Sequence, residues 1–74
     1  MHDILWTSLK EADFRTFYTP TEEEDKVLTA WVKNWSVAKT AMTCGMAEST
    51  VKRIRKKLRR VYYEVKKYSP ILSE

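Results

Sequence analysis

In the middle of the chain, apolar residues recur at spacings of three and four. Val27, Leu28, Trp31, Val32 and Trp35 form one such series, which describes a helix with one buried face. A start signal precedes it in Thr19-Pro20-Thr21-Glu22. Thr19 is placed to cap the orphan N–H groups, Pro20 loses no useful donor at the first helical position, and Glu22 completes a capping box. The acids Glu22, Glu23, Glu24 and Asp25 suit the positive end of the helix dipole. This helix is expected to end near Asn34. Ser36 is a suitable cap for the next, at Val37–Cys44. Gly45, the only glycine of the chain, tolerates the positive φ that a tight turn between helices often needs. The chain re-enters a helix near Ala47 and Glu48 and is expected to stay helical to about Lys67, where Ser69 and Pro70 end it.

Upstream the pattern is sparser. Ile4, Leu5 and Leu9 share one helix face, whereas Phe14 and Phe17 do not continue it, so the spacing predicts a short helix and then an irregular stretch. No alternating strand pattern, internal repeat or linker is present. The expectation is one all-α domain over residues 1–74, with four helices and a long C-terminal helix.

Composition bounds what such a domain can be. A chain of 74 residues supports only a small core, which three Trp, four Tyr and two Phe enlarge. Gly and Pro are few, as in a folded chain. A single cysteine, Cys44, excludes an internal disulfide and a cysteine-based zinc site, and the lone His2 does not rescue one. Cys44 reads as a small core residue. No basic stretch followed by an apolar run opens the chain, and no apolar run approaches the roughly 18 residues of a membrane span. A soluble, cytoplasmic protein is expected. There is no nucleophile–base pair, no phosphate-cradling glycine loop and no paired-acid constellation, so neither an enzyme nor a cofactor or metal is expected.

Charge changes the picture more. Residues 1–30 hold seven acids and three bases, a balance of −4; residues 31–74 hold eleven bases and three acids, a balance of +8. Seven of the nine positions from Lys52 to Arg60 are basic. The exceptions, Ile54 and Leu58, are four apart on one helix stripe. Such a helix suits a polyanion. The blander readings are a solvated face or a membrane-surface or calmodulin-type helix. Trp31 and Trp35 share the face of Val27 and Leu28 and read as core rather than as base-stacking platforms. Glu22 to Asp25 read as dipole partners rather than a metal site, with contact to a protein such as RNA polymerase the lesser alternative.

What separates these readings is a constellation. Two short helices that cross steeply need a small residue where their backbones approach, which Ala41 supplies. The turn needs Gly45. The second helix must then bury Met46, Val51 and Ile54 against the first. Four residues from Ala41 to Gly45, ten to Val51 and thirteen to Ile54 are the intervals of a helix-turn-helix, at about residues 36–58.

This stretch resembles the helix-turn-helix of bacterial sigma factor region four and of LuxR/GerE-type domains. Ser36, Ala41, Gly45, Thr50, Val51 and Lys52 match, and Met46 replaces an Ile. Lys39-Thr40 stands where those families favour Glu-Ile, Cys44 replaces a Leu, and Ala47 replaces the usual Ser cap. The resemblance spans about residues 19–60 and implies a free-standing module like those of small phage or mobile-element regulators. It implies that the second helix, the recognition helix, enters the major groove of double-stranded DNA, with Glu48, Ser49, Lys52, Arg53 and Lys56 facing bases. Thr50, Arg55, Lys57, Arg59 and Arg60, with Ser36 and Lys39, are then phosphate contacts.

Beyond the motif, Val51, Ile54, Leu58, Val61, Val65 and Tyr68 follow spacings of 3, 4, 3, 4 and 3, a heptad seam. Val61, Val65 and Tyr68 are either a dimerisation surface or packing for Trp6, Phe14 and Phe17 of the same chain; the resemblance favours a homodimer. The resulting expectation is sequence-specific binding of double-stranded DNA by a small transcriptional regulator. The alternatives are the DNA-recognition part of a phage packaging or recombination machine, and a sigma-like module that contacts RNA polymerase.

Overall fold

The computed structural model describes residues 4–73 and is helical throughout its regular structure. Five helices follow one another: α1 (Ser8–Phe17), α2 (Glu22–Val32), α3 (Val37–Cys44), α4 (Glu48–Val65) and α5 (Pro70–Ser73). Four were expected, with the long one last. The long helix is α4, it stops at Val65 instead of Lys67, and Pro70 opens a fifth helix instead of ending the fourth. Proline is at home there, because a first-turn residue needs no N–H donor.

The first segment departs most from its expectation. Thr7 caps α1 by accepting a bond from the Lys10 amide at 3.1 Å, and the helix runs unbroken through Phe14 and Phe17. Its inward residue is Phe14, while Leu5 and Leu9 are exposed. Ile4 and Trp6 reach the core from the non-helical segment before the helix. Trp6 meets Phe14, Trp31 and Tyr62 edge-on, with ring centroids 5.3–5.7 Å apart. This aromatic cluster joins α1, α2 and α4, and large ring areas are what let so short a chain close a core.

The start of α2 is also shifted. Thr21, not Thr19, is the cap, and Glu24, not Glu22, completes the capping box. Pro20 therefore precedes the helix. At the other end Asn34 takes a left-handed φ of 65°, and the Trp35 amide bonds back to the Ala30 carbonyl at 3.0 Å. An asparagine is one of the few residues that adopts this conformation readily.

The connection from α3 to α4 follows the sequence closely. Ser36 caps α3 through the Lys39 amide at 3.0 Å. Gly45 has φ 67°, and the Met46 amide reaches the Ala41 carbonyl at 2.9 Å. A Cβ on Gly45 would meet nothing within 4 Å, so conformation, not space, calls for glycine. Ala47 precedes α4 without a side-chain cap bond. Val51, Ile54, Leu58 and Tyr62 form the buried stripe of α4, which packs on α2 and α3. At its far end the Tyr62 hydroxyl donates to the Leu72 carbonyl at 2.9 Å. Ser69 donates to Asp13 and accepts from the Leu72 amide, so α5 is pinned to both α4 and α1.

Candidate functional site

The buried stripe of α4 fixes what its other faces can do. At 100° per residue, Val51, Ile54, Leu58 and Tyr62 define the inward side. Ser49, Lys52, Arg53, Lys56 and Arg60 then fall opposite, and all five are exposed. Among the described residues, Lys52, Arg53, Lys56 and Arg60 form no ion pair. Glu48 is exposed at the first turn and Thr50 is half-buried. Ser49, Lys52, Arg53 and Lys56, four of the residues expected to face bases, thus share one solvent-facing surface, while Glu48 lies on the flank of Arg55.

The remaining cations of the run lie on the two flanks and are engaged inside the fold. On one flank, the Lys57 ammonium is 2.7 Å from a carboxylate oxygen of Glu24, which is 7 % exposed. The other Glu24 oxygen accepts from the Tyr18 hydroxyl at 2.6 Å and from the Thr21 amide at 3.1 Å. Burial alone would raise the Glu24 pKa. The bonds from Lys57, Tyr18 and Thr21 outweigh it and hold the group down at about 2. The same contacts raise the Lys57 pKa. Burial, together with the bond to Glu24, raises that of Tyr18.

On the other flank, Arg55 donates to the Trp35 carbonyl at 2.6 Å and lies 5.1 Å from the Trp31 ring centroid. Arg59 lies 5.4 Å from the same ring. Trp31 is buried, as expected, and serves as a platform for two guanidinium groups. Trp35 is half-buried, and its ring carries Lys39 at 4.7 Å and Lys33 at 5.4 Å. Ser36 and Lys39 are therefore neighbours of Trp35 at the start of α3, within one basic corner that also holds Lys33. Lys33 escaped the sequence reading because nothing in its spacing ties it to α3; the fold does.

The acidic start of α2 borders this surface. A cleft of about 130 Å³ is lined by Thr21, Glu23, Glu24, Arg53, Ile54 and Lys57, so Arg53 and Glu23 border the same cleft. Cys44 is half-buried and, with Thr29, Ala30, Lys33 and Trp35, lines an open cleft of about 260 Å³ between α2 and α3. Among the described residues no group of three His, Cys, Asp or Glu side chains is placed to hold a metal ion, and no helix is long and apolar enough to cross a membrane. His2 lies outside the described residues.

At position 40 a polar residue fills a core site. Thr40 is fully buried and satisfies its hydroxyl by donating to the Ser36 carbonyl at 2.8 Å. A buried hydroxyl is tolerated when it is bonded in this way.

The heptad seam divides where Tyr62 replaces Val61 as the buried residue. Val61 and Val65 are partly buried against the core of their own chain. Tyr68 lies past the end of α4 and is 75 % exposed.

No family model, curated protein or solved structure matches the chain.

Proposed function

We propose that the chain binds double-stranded DNA through a helix-turn-helix formed by α3, the Gly45 turn and α4, and that it acts as a small sequence-specific transcriptional regulator. The observation that carries this reading is the outward surface of α4. Lys52, Arg53, Lys56 and Arg60 line one exposed face without internal ion pairs, directly opposite the stripe that packs the helix onto α2 and α3. A helix held this way can enter a major groove, which admits one helix. Glu48, Ser49, Lys52, Arg53 and Lys56 are the base-facing group. Arg60, with Lys39 and Lys33 at the basic corner around Trp35, flanks it as phosphate contacts. Arg55, Lys57 and Arg59 support this arrangement from within and reach phosphates only with whatever exposure their internal contacts leave.

The test is fluorescence anisotropy with labelled duplexes over a range of salt. If about five phosphates are contacted, log Kd against log salt has a slope of magnitude about 4 to 5. A response flat in salt, or no binding at low salt, overturns the proposal.

A further inference from the structure

Among the described residues, the large apolar side chains left exposed are not scattered. They are Leu5, Leu9, Phe17, Met42, Tyr68 and Ile71, and all but Met42 belong to α1, α5 or the segments beside them. Leu9, Asp13 and Phe17 are four apart and lie along one ridge of α1. Tyr68 and Ile71 flank Ser69, and Ser69 is bonded to Asp13 at the middle of that ridge. The bond holds Ser69, between Tyr68 and Ile71, against the residue midway between Leu9 and Phe17, where α5 packs on α1.

We propose that a second copy of this chain docks on the α1–α5 face, forming a dimer about a two-fold axis. The first argument is area. Leu5, Leu9, Phe17, Tyr68 and Ile71 are 80 %, 71 %, 50 %, 75 % and 37 % exposed. With ordinary large side chains at about 200 Å², this leaves on the order of 600 Å² of apolar surface, the upper end for a monomer. A standard interface takes about 800 Å² per partner, of which roughly 60 % is apolar. The face therefore supplies the apolar part of one complete side.

The second argument is charge. The chain carries a net +4, and copies meeting across the outward face of α4 would oppose like charges. On the Leu9–Phe17 ridge the charged residue is Asp13, whose carboxylate accepts from the Ser69 hydroxyl; Glu11 and Arg15, about 200° round the helix from it, pair with each other and with Asp25 of α2. A second copy covering the face meets an apolar ridge whose carboxylate already has a hydrogen-bond donor, and an apolar ridge is complementary to its own two-fold image. The surface differs from the heptad seam, because Val61 and Val65 already pack inside their own chain and only Tyr68 is shared. It also leaves the outward face of α4 uncovered, so it stands whether or not the chain binds DNA.

The experiment is sedimentation equilibrium of the full chain from about 5 to 500 µM, without DNA. The expected result is a concentration-dependent shift from 8.8 kDa to twice that mass. Leu9→Glu and Tyr68→Glu should each weaken association about tenfold or more. Met42→Glu, at an equally exposed apolar residue on α3, should leave it unchanged. In wild-type dimers mixed from labelled and unlabelled chains, intermolecular methyl cross-peaks should appear at Leu9 and Ile71, a readout that needs no substitution. A monomer at every concentration would assign the face to a different protein and overturn the proposal. So would a dimer that Met42→Glu breaks and Leu9→Glu does not, or cross-peaks confined to other residues.

Discussion

The basic run of α4 contains two kinds of cation that are indistinguishable in the sequence. Lys52, Arg53, Lys56 and Arg60 point to solvent, and their charge is open to a partner. Arg55, Lys57 and Arg59 lie on the flanks, where each is engaged by α2 or by the connection from α2 to α3. The two kinds alternate along the run because α4 buries one stripe and a helix turns through 100° per residue. A dense charge run therefore need not be one binding surface: some of its members bind the protein to itself. Substitution of each kind should separate stability from binding.

The largest effect is expected at Glu24. Glu24→Gln removes the charge that Lys57 and Tyr18 bond and should cost about 2–3 kcal/mol in urea unfolding. The pH dependence tests the same contact. The folded-state pKa of Glu24 is about 2, against an ordinary 4.5. Its contribution is therefore complete above about pH 4.5 and is lost as pH falls toward 2. Wild-type stability should fall across that window more than that of Glu24→Gln, by an amount that solvent screening of the half-exposed Lys57 reduces. Equal slopes for the two proteins would show that the contact contributes nothing.

Arg55→Ala comes next. It removes the bond to the Trp35 carbonyl and the stacking on Trp31, and should cost about 1–3 kcal/mol, with faster amide exchange at Trp35 and Ser36. Arg55→Lys should recover only part of this, because an ammonium lacks the planar fork. An Arg55→Ala protein of wild-type stability but lost DNA binding would move Arg55 to the outward group.

The outward cations should behave in the opposite way. Arg53→Ala should change stability by less than about 0.5 kcal/mol yet lower duplex affinity by about 1–3 kcal/mol and relax sequence preference. An equal loss on every sequence would make Arg53 a phosphate contact. Arg60→Ala is expected to give the smallest effect, a uniform weakening with the salt slope reduced by about one.

The comparison also shows where the sequence could be read and where it could not. The path from Ser36 through Gly45 to Ile54 was legible because local chemistry decides it: a serine cap, a left-handed glycine and a stripe at helical spacing. The start of α2 was misplaced by two residues: Thr19 with Glu22 fits a capping box, but Thr21 with Glu24 fits one equally and is the pair that forms. The fold selects the second because Glu24 also meets Tyr18 and Lys57, partners that no local pattern supplies. The same limit hid the internal roles of Arg55 and Lys57. At the start of the chain the periodicity of Ile4, Leu5 and Leu9 misled, because Ile4 and Trp6 enter the core from a non-helical segment to which helical spacing does not apply. Pro70 read as a stop because proline breaks a helix interior, whereas α4 has already ended at Val65 and the first turn of α5 accepts a proline.

The division of α4 is tested most directly by amide chemical-shift mapping during titration with duplex DNA. The expected result is shifts concentrated at Glu48, Ser49, Lys52, Arg53, Lys56 and Arg60 and at the Ser36–Lys39 corner, with α1 and α5 unmoved. Shifts confined to α1 and α5, or none at saturating DNA, would contradict it.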